Sequence, residues 1–201
     1  MAVDAYVYFQ DFKGNYVSGE SQVDLTNVDP NDTLAKPFVA ALGSQGVFEV
    51  EDYGFDTEQT FNLSSQSTGL GAGKITLNAF SITRKVDKAS PAMFEYSASG
   101  KSFQNVGIGL RKSAGDDTSG IFYMLWQFSL VGVKTITYSH DDESPKEAIT
   151  FVYGAMTMQY CQQNNDGTPG GVTHSGWNQQ TNTKATPGAA SATIGKQNAK
   201  S

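Results

Sequence analysis

The sequence predicts a mainly β protein: an antiparallel β-barrel of two packed sheets with one flanking α-helix. The composition favours this class, since 12 Phe, 9 Tyr and 21 Gly suit strands and tight turns better than helices. Apolar side chains alternate with polar ones along several segments, as they do in strands that bury one face. In the longest such segment, Ile121 to Tyr138, both faces are apolar. This pattern is typical of a central strand, or of one that a partner subunit covers.

Turn residues and apolar periodicity place the predicted strands in order along the chain. Residues 3–10 form the first strand, Val47 to Thr57 the second, and Ala148 to Cys161 the last. Residues 22–46 are punctuated by Asn, Asp, Pro and Thr, so we predict an insertion with at most a short helix. Residues 62–73 are rich in Ser, Thr and Gly and are predicted to form a flexible loop.

The predicted strand after this loop changes the phase of its alternation. Ile75 and Leu77 alternate with polar neighbours, whereas Phe80 and Ile82 occupy the opposite face. Either a bulge turns the side chains at this point, or both faces of one long strand are buried. We expect one part of the strand to face the barrel interior and the other to face the helix or a neighbouring subunit.

Local signals bound the one predicted helix. Ser90 suits the N-cap, where its hydroxyl can accept a free backbone N–H, and Pro91 suits the first turn. Gly100 can adopt the left-handed conformation that ends a helix, and Lys101 complements its negative end. Apolar alternation resumes over residues 106–110, which predicts a further strand.

Composition restricts the class of protein. The 201 residues are expected to form one domain over residues 1–177, which includes the insertion at 22–46. Residues 178–201 contain too little apolar mass to offset the chain entropy of folding, so we predict a disordered tail. The net charge of −6 and the absence of a basic cluster argue against nucleic-acid binding. No apolar run reaches the roughly 18 residues of a membrane span, and the first residues do not resemble a secretory signal.

No residue cluster in the sequence predicts catalysis, a cofactor or a metal. Gly73-Lys74 lacks the preceding glycine and the following hydroxyl of a phosphate loop. His140 and His174 lie in separate polar turns, and Cys161 has no neighbouring histidine or cationic cluster. Residues 141–143 are acidic but lack the glycine and the distal glutamate of a calcium loop. We therefore expect a protein that assembles rather than catalyses, with an enzyme or a carbohydrate-binding β-sandwich as the alternative.

Several short motifs occur in a fixed order along the chain. They are Met1-Ala2-Val3-Asp4, Gly19-Glu20-Ser21, Tyr53-Gly54-Phe55, Gly71-Ala72-Gly73-Lys74, Asp87-Lys88-Ala89-Ser90-Pro91, Ser99-Gly100-Lys101, Leu110-Arg111-Lys112 and Gly176-Trp177-Asn178. In this order they resemble the haemolysin-coregulated protein (Hcp) family, whose members form the tube of bacterial type VI secretion systems. The resemblance covers most of the chain outside the insertion and the tail.

The resemblance implies a β-barrel subunit that assembles into a hexameric ring, with rings stacked into a tube. It also implies partners: further copies of the chain, the sheath, spike and baseplate proteins of the secretion machine, and small effector proteins. The protein is then cytoplasmic before firing and is expelled from the cell without a signal peptide. The alternative within the same fold is a secreted carrier or chaperone whose main role is to bind an effector.

Two segments are candidates for function under this resemblance. The residues predicted to face the lumen and its cargo are Tyr53, Gly54 and Phe55, with packing inside the barrel as the alternative explanation of the same aromatic pattern. The predicted ring-stacking loop contains Ser65, Gln66, Ser67 and Thr68, because it has few side chains to pack within its own subunit.

Overall fold

The structure is a computed structural model. It describes residues 3–187 except 24, 26, 27, 30, 43, 44, 63–70, 113–119 and 141–143. The strands in this part of the chain are β1 (Val3–Gln10), β2 (Val47–Glu49), β3 (Asp52–Gly54), β4 (Thr57–Asn62), β5 (Gly71–Leu77), β6 (Phe80–Lys85), β7 (Ser102–Lys112), β8 (Ile121–His140), β9 (Pro145–Gln163), β10 (Pro169–Asn178) and β11 (Thr183–Lys184). The helices are α1 (Lys36–Leu42) and α2 (Ser90–Ser99).

Strands β8 and β9 are the centre of a nine-stranded antiparallel sheet. The order along its main path is β11-β10-β9-β8-β7-β1-β2. Strand β9 has 19 residues and pairs with β8 along one edge. Its other edge is divided, because β6 pairs with residues 146–151 and β10 pairs with residues 155–163. Strand β3 pairs in turn with β6, and β4 and β5 form a separate two-stranded sheet.

The mainly β, antiparallel class is confirmed, but the sheet is not closed into a barrel. The chain passes from one part of the sheet to another at residues 50 and 51. The N–H of Val50 donates to the carbonyl of Ala5, whereas the N–H of Glu51 donates to the carbonyl of Thr83. Strands β2 and β3 on either side have three residues each and pair with different neighbours. The ladder is therefore interrupted where a barrel would close.

The described residues contain a second helix besides the predicted flanking one, because the insertion, where we expected at most a short helix, forms the seven-residue α1. Phe38 and Ala41 are one helical turn apart, and both are fully buried against the sheet. Pro37 is one of the residues that punctuate this segment, yet it does not prevent the helix. It lies in the first turn, where a missing N–H costs nothing.

One apolar core lies between the two parts of the sheet and α2. Its centre is a stack of rings in which Phe80 lies 4.2 Å from Phe128 and 4.7 Å from Phe151, between ring centroids. Met93 of α2 is fully buried in the same cluster. Phe9 of β1 packs against Phe151 at 5.5 Å, so the cluster joins the first strand to the last long one.

A second core covers the opposite face of β1, β7 and β8. Phe38 of α1 stacks on Phe122 at 4.6 Å and meets Tyr8 edge-on at 5.2 Å. Gly109 of β7 makes room for this ring, since a Cβ there would lie 2.5 Å from Phe38. The described residues of this segment, Leu25, Leu34 and Phe38 among them, thus bury the second apolar face of these strands within the subunit. A partner subunit is not needed to explain that face.

Asp32 fixes this segment to the sheet. Its Oδ1 accepts the backbone N–H groups of Leu34 and Ala35, both at 3.1 Å, and its Oδ2 accepts the N–H of Phe122 at 2.9 Å. Burial raises the pKa of the carboxyl, and the three N–H donors oppose that rise. The carboxylate replaces water for three buried donors, so it stabilises both the turn before α1 and its contact with β8.

The predicted long strand across the phase change is two strands in two sheets. Strand β5 pairs with β4, and β6 pairs with β9 and β3. Residues 78 and 79 separate them, so neither a bulge nor a strand buried on both faces is needed.

Strand β10 was not predicted. Folded structure also continues beyond Trp177, the last residue of the predicted domain. Strand β11 pairs with β10, with Asn178 opposite Thr183. Asn178 and Ala185 are buried, although both lie within the predicted tail. The domain boundaries stay a prediction, and residues 188–201 lie outside the described part of the chain.

Candidate cargo and assembly surfaces

The three residues predicted to face the lumen are divided between two sides of β3. Tyr53 and Phe55 point inward, and their rings lie 5.6 and 5.4 Å from the ring of Trp126. Phe55 also meets Phe128 edge-on at 5.5 Å. Gly54 is exposed on the outer side. The aromatic pair therefore belongs to the core, and only the glycine contributes to the outer surface.

Gly54 begins a row of small polar residues across four strands. The register places it opposite Ser81, which is followed across the sheet by Thr150 and Thr135. The adjacent row contains, in order across the sheet, the exposed Asp52, then Thr83, Ala148 and Thr137. We call the surface of Gly54 and these five hydroxyl residues, Ser81, Thr83, Thr135, Thr137 and Thr150, the hydroxyl face. Each residue is exposed or half-buried, and each side chain is short and uncharged.

The backbone at Gly54 leaves space for a side chain. A Cβ built there would have the Oγ of Ser81 as its nearest neighbour, at 3.9 Å, which is ordinary van der Waals contact. A larger residue at this position would project over the hydroxyl face without displacing the core. This makes Gly54 a suitable position at which to block the surface.

A buried ion network lies on the opposite, inner side of β6 and β9. Arg84 Nη2 is 2.6 Å from Glu147 Oε1 and 3.0 Å from Asp87 Oδ1. The Oγ of Ser90 donates to Glu147 Oε1 at 3.0 Å, and the guanidinium lies 4.7 Å from the centre of the Phe48 ring. Arg84 is 2% exposed and Glu147 is fully buried. The network joins α2 to the sheet.

The pairing of Arg84 with Glu147 was not predicted, although the sequence contains a signal for it. Arg84 continues the inward phase set by Phe80 and Ile82, and Glu147 continues the inward phase of Ile149. Two opposite charges, each at a position whose phase predicts burial, indicate a buried pair.

The start of α2 differs from its prediction, and the end agrees with it. Ala89 is the N-cap and makes no side-chain capping hydrogen bond, so the assignment of Ser90 as the cap was wrong. The hydroxyl of Ser90 is used in the ion network, and Asp87 Oδ1 instead accepts the N–H of Ala89 at 2.8 Å. Pro91 lies in the first turn and Gly100 has φ of 66°, as predicted.

The titratable groups expected to be inactive lie apart from one another. Cys161 is buried, and this burial raises the pKa of its thiol, which disfavours the reactive thiolate. His140 and His174 are exposed on β8 and β10. Within the described ranges, no group of His, Cys, Asp and Glu could hold a metal ion. Residues 141–143 lie outside those ranges.

Comparison with known proteins identifies the family. A family model described as "Type VI secretion system effector, Hcp" matches residues 39–160, which is more than half of the chain. The chain belongs to the Hcp family. A search of curated proteins found no match.

Solved structures share the Hcp fold of this chain at low sequence identity. A type six secretion system protein has a TM-score of 0.70 and 23% identity, covering 92% of this chain and all of its own. Hcp1 from Salmonella typhimurium has a TM-score of 0.63 and 21% identity, with 92% of this chain and 100% of its own covered. A type VI secretion system effector from Yersinia pestis has a TM-score of 0.60 and 20% identity, covering 87% of this chain and 99% of its own.

The remaining Hcp-like motif positions lie at the ends of strands. The backbone of Gly71, Gly73 and Lys74 forms the start of β5, and Lys74 is exposed. Arg111 lies near the end of β7, opposite Asp4 of β1, and Trp177 pairs with Lys184. Lys101 forms an exposed ion pair with Glu95 at 2.6 Å.

The predicted stacking residues 65–68 lie outside the described residues.

No helix in the ranges that the structure describes has the length and apolar character needed to cross a bilayer.

Proposed function

We propose that this protein is the subunit of a type VI secretion inner tube. Six copies form a closed ring, rings stack into a tube, and the tube is expelled from the cell. The family match over residues 39–160 carries this proposal, since it spans β2, β3, β6, β7, β8 and most of β9 of the main sheet. On this view the protein is cytoplasmic before firing, contacts the sheath, spike and baseplate of the machine, and needs no signal peptide.

Exposed apolar side chains on β9 and α2 support ring formation. Val152, Met158 and Tyr160 of β9 are 46%, 41% and 43% exposed, and Phe94 of α2 is 61% exposed. Met158 and Tyr160 lie two residues apart on one face of β9, and adjoining exposed apolar side chains mark a surface that a partner covers, whereas single ones do not. A head-to-tail contact between copies would cover them in a closed ring.

Sizing tests the ring directly. Light scattering of the purified protein is expected to give the mass of a hexamer, and negative-stain images are expected to show rings. A particle that remains monomeric at high protein concentration would falsify the proposal.

The hydroxyl face favours a second role, in which the ring carries an effector in its lumen. Its short, neutral hydroxyl side chains can each donate and accept hydrogen bonds, so they suit many polar partners, and the exposed Asp52 adds one negative charge at the edge of the face. On the inner side of the same strands, Ile82 and Ile149 are buried in the core, so the backbone under the hydroxyl face is held by packing. We place the hydroxyl face at the lumen, with Gly54 at its edge.

A bulky charge at Gly54 tests this role. Gly54→Arg is expected to leave rings intact, because a Cβ fits there, and to lower the amount of effector that co-purifies with rings and reaches the secreted fraction. Gly171→Arg is the matched control, since a Cβ at Gly171 of β10 has no neighbour within 4 Å. Equal cargo levels in both variants would exclude a cargo surface at Gly54.

Ring stacking is assigned to the loop between β4 and β5. Its composition provides few side chains that could pack within the subunit. We therefore propose that this loop packs against the next ring. Deletion of Ser65 to Thr68 is expected to leave the ring mass unchanged and to reduce filament length in negative stain. Normal filaments without these residues would rule out this assignment.

A further inference from the structure

The β4–β5 hairpin has no strand pairing with the main sheet among the described residues. Its two strands pair with each other in a sheet separate from the main one. A lone two-stranded hairpin is marginally stable in water. Phe61 near its far end is 51% exposed, and Leu77 at its base is buried. The base is closed by Asn78, whose side chain donates to Asp56 Oδ2 at 2.6 Å.

Gln179 connects this base to the main sheet from a distant part of the chain. Its Oε1 accepts the backbone N–H of Leu77 at 3.1 Å, and its Nε2 donates to the carbonyl of Tyr153 at 2.9 Å. The first contact joins β5 to a residue 102 positions away, and the second joins that residue to β9. A carboxamide has the same donor and acceptor as a peptide group. The side chain therefore bridges the two sheets as a single added peptide unit would.

The backbone around Gln179 holds the side chain in place. Its own N–H donates to the carbonyl of Gly154 at 3.1 Å. The preceding residue, Asn178, is 5% exposed, and its Oδ1 accepts the N–H groups of Gln180 and Thr181 at 2.9 and 3.1 Å. These contacts fix the backbone of the turn after β10, so only the side chain of Gln179 has to be ordered when the carboxamide bonds.

We propose that Gln179 is a positioning residue that sets the angle of the β4–β5 hairpin against the main sheet, and that ring stacking depends on this angle. The dependence on stacking rests on the proposed tube function. The hairpin is joined to the rest by the buried Leu77, by the partly buried Ile75 and by polar contacts at its base, so removal of one polar bridge is expected to change its orientation while the core stays packed. Gln179 itself lies on the body of the subunit, in the segment that the sequence predicted to be a disordered tail.

The experiment compares Gln179→Ala with Gln180→Ala in purified rings. Gln180 is the next residue in the same turn, and its exposed side chain lies over Gly154 rather than on the hairpin. Hydrogen exchange by mass spectrometry reads peptides that cover 57–62 and 71–77, with peptides of β8 and β9 as the internal reference. Loss of the two hydrogen bonds is expected to speed exchange in the hairpin about tenfold in Gln179→Ala, with no change in Gln180→Ala.

Filament length in negative stain is the second measurement, on the same samples. Shorter filaments together with faster hairpin exchange and unchanged ring mass support the proposal. Unchanged exchange in Gln179→Ala overturns the bridge itself. Faster exchange with filaments of normal length overturns its role in stacking. Deletion of residues 65–68 tests the stacking loop separately, so failure of the tube assignment and failure of the bridge give different results.

A second variant separates the two bonds. Gln179→Glu keeps an oxygen for the N–H of Leu77 but places an oxygen where Nε2 had donated to Tyr153. We expect hairpin exchange as fast as in Gln179→Ala, because without the hydrogen bond to Tyr153 the side chain no longer links the hairpin to β9. Exchange equal to that of the unmodified protein would overturn the bridge.

Discussion

Two segments leave the main sheet of this subunit, and they are attached to it in opposite ways. Residues 22–46 fold back over β1, β7 and β8, and Leu25, Leu34 and Phe38 are fully buried there. The β4–β5 hairpin is joined at its base by side-chain amides and by the buried Leu77, and Phe61 near its far end is half exposed. The first segment completes a core, whereas the second presents surface.

This difference separates the folding of the subunit from its assembly. Apolar burial scales with area and stabilises the isolated chain, so residues 22–46 contribute before any ring forms. The hairpin contributes little to that core, and its contact with another copy can be made later without disturbing it. Substitutions in the two segments should therefore affect different measurements.

Phe38→Ala is expected to have the largest effect. Phe38 is fully buried between Tyr8 and Phe122, and its loss leaves a cavity in the second core. The free energy of unfolding should fall by about 3–5 kcal/mol, measured by urea denaturation at fixed protein concentration. A loss below about 1 kcal/mol would show that residues 22–46 are not part of the folded core.

Asp32→Ala tests the polar attachment of the same segment. Three buried N–H groups lose their acceptor, which should lower the free energy of unfolding by about 2–3 kcal/mol. Asp32→Asn keeps Oδ1 for Leu34 and Ala35 but presents an N–H₂ group to Phe122. Its loss should be about half as large. Equal losses in both variants would mean that the contact with Phe122 carries the whole effect.

Alkaline pH is expected to weaken both attachments, because a buried tyrosine lies at each. Burial raises the pKa of Tyr8, beside Phe38, to about 12. Burial, and then the charge of Asp56, raise the pKa of Tyr153, whose carbonyl accepts from Gln179, to about 12. The unfolded chain ionises near pH 10, so the stabilisation is complete below that value and is lost as pH rises through about 12.

The expected loss is about 2–3 kcal/mol per tyrosine between pH 10 and pH 12. Urea denaturation across this range should show it in the unmodified protein. Tyr153→Phe is a mild control, because the Tyr153 hydroxyl is buried with no hydrogen-bond partner among the described residues. Its stability should fall less steeply with pH. An equally steep fall in Tyr153→Phe would assign the loss to other groups.

Phe61→Ala should have the smallest effect on stability. Half of this side chain is already in water, so the free energy of unfolding should change by less than about 0.5 kcal/mol. Filament length should fall if the hairpin contacts the next ring. A stability loss comparable to that of Phe38→Ala would contradict the comparison between the two segments.

The strands with strong apolar alternation could be predicted from sequence, and the weakly patterned ones could not. Strands β1, β8 and β9 were placed near their observed positions because their apolar side chains alternate over many residues. Strand β10 was missed because Pro169 to Asn178 contains mostly glycine and polar residues. It is a strand because β9 offers it a free edge, which is a tertiary effect.

The candidate surfaces could be predicted only in part for a similar reason. Gly54 was identified, but the sequence could not show that Tyr53 and Phe55 pack on Trp126 while the glycine faces outward. Gln179 could not be found, because its contacts depend on residues far away in the chain. Barrel closure failed as a prediction since strand count and alternation do not reveal where a ladder is interrupted.

The buried pair of Arg84 and Glu147 also bears on how the sheet finds its correct alignment. Strands β6 and β9 both alternate inward and outward residues, so a shift of two residues would keep every apolar side chain on the inner side. Hydrophobicity alone barely distinguishes the shifted pairing from the native one. The shift would place Arg84 opposite Ile149 in one direction, or Glu147 opposite Ile82 in the other, and leave a charge buried without its counterion. Because an unpaired buried charge costs several kcal/mol, both shifted pairings of β6 with β9 are higher in free energy than the native one.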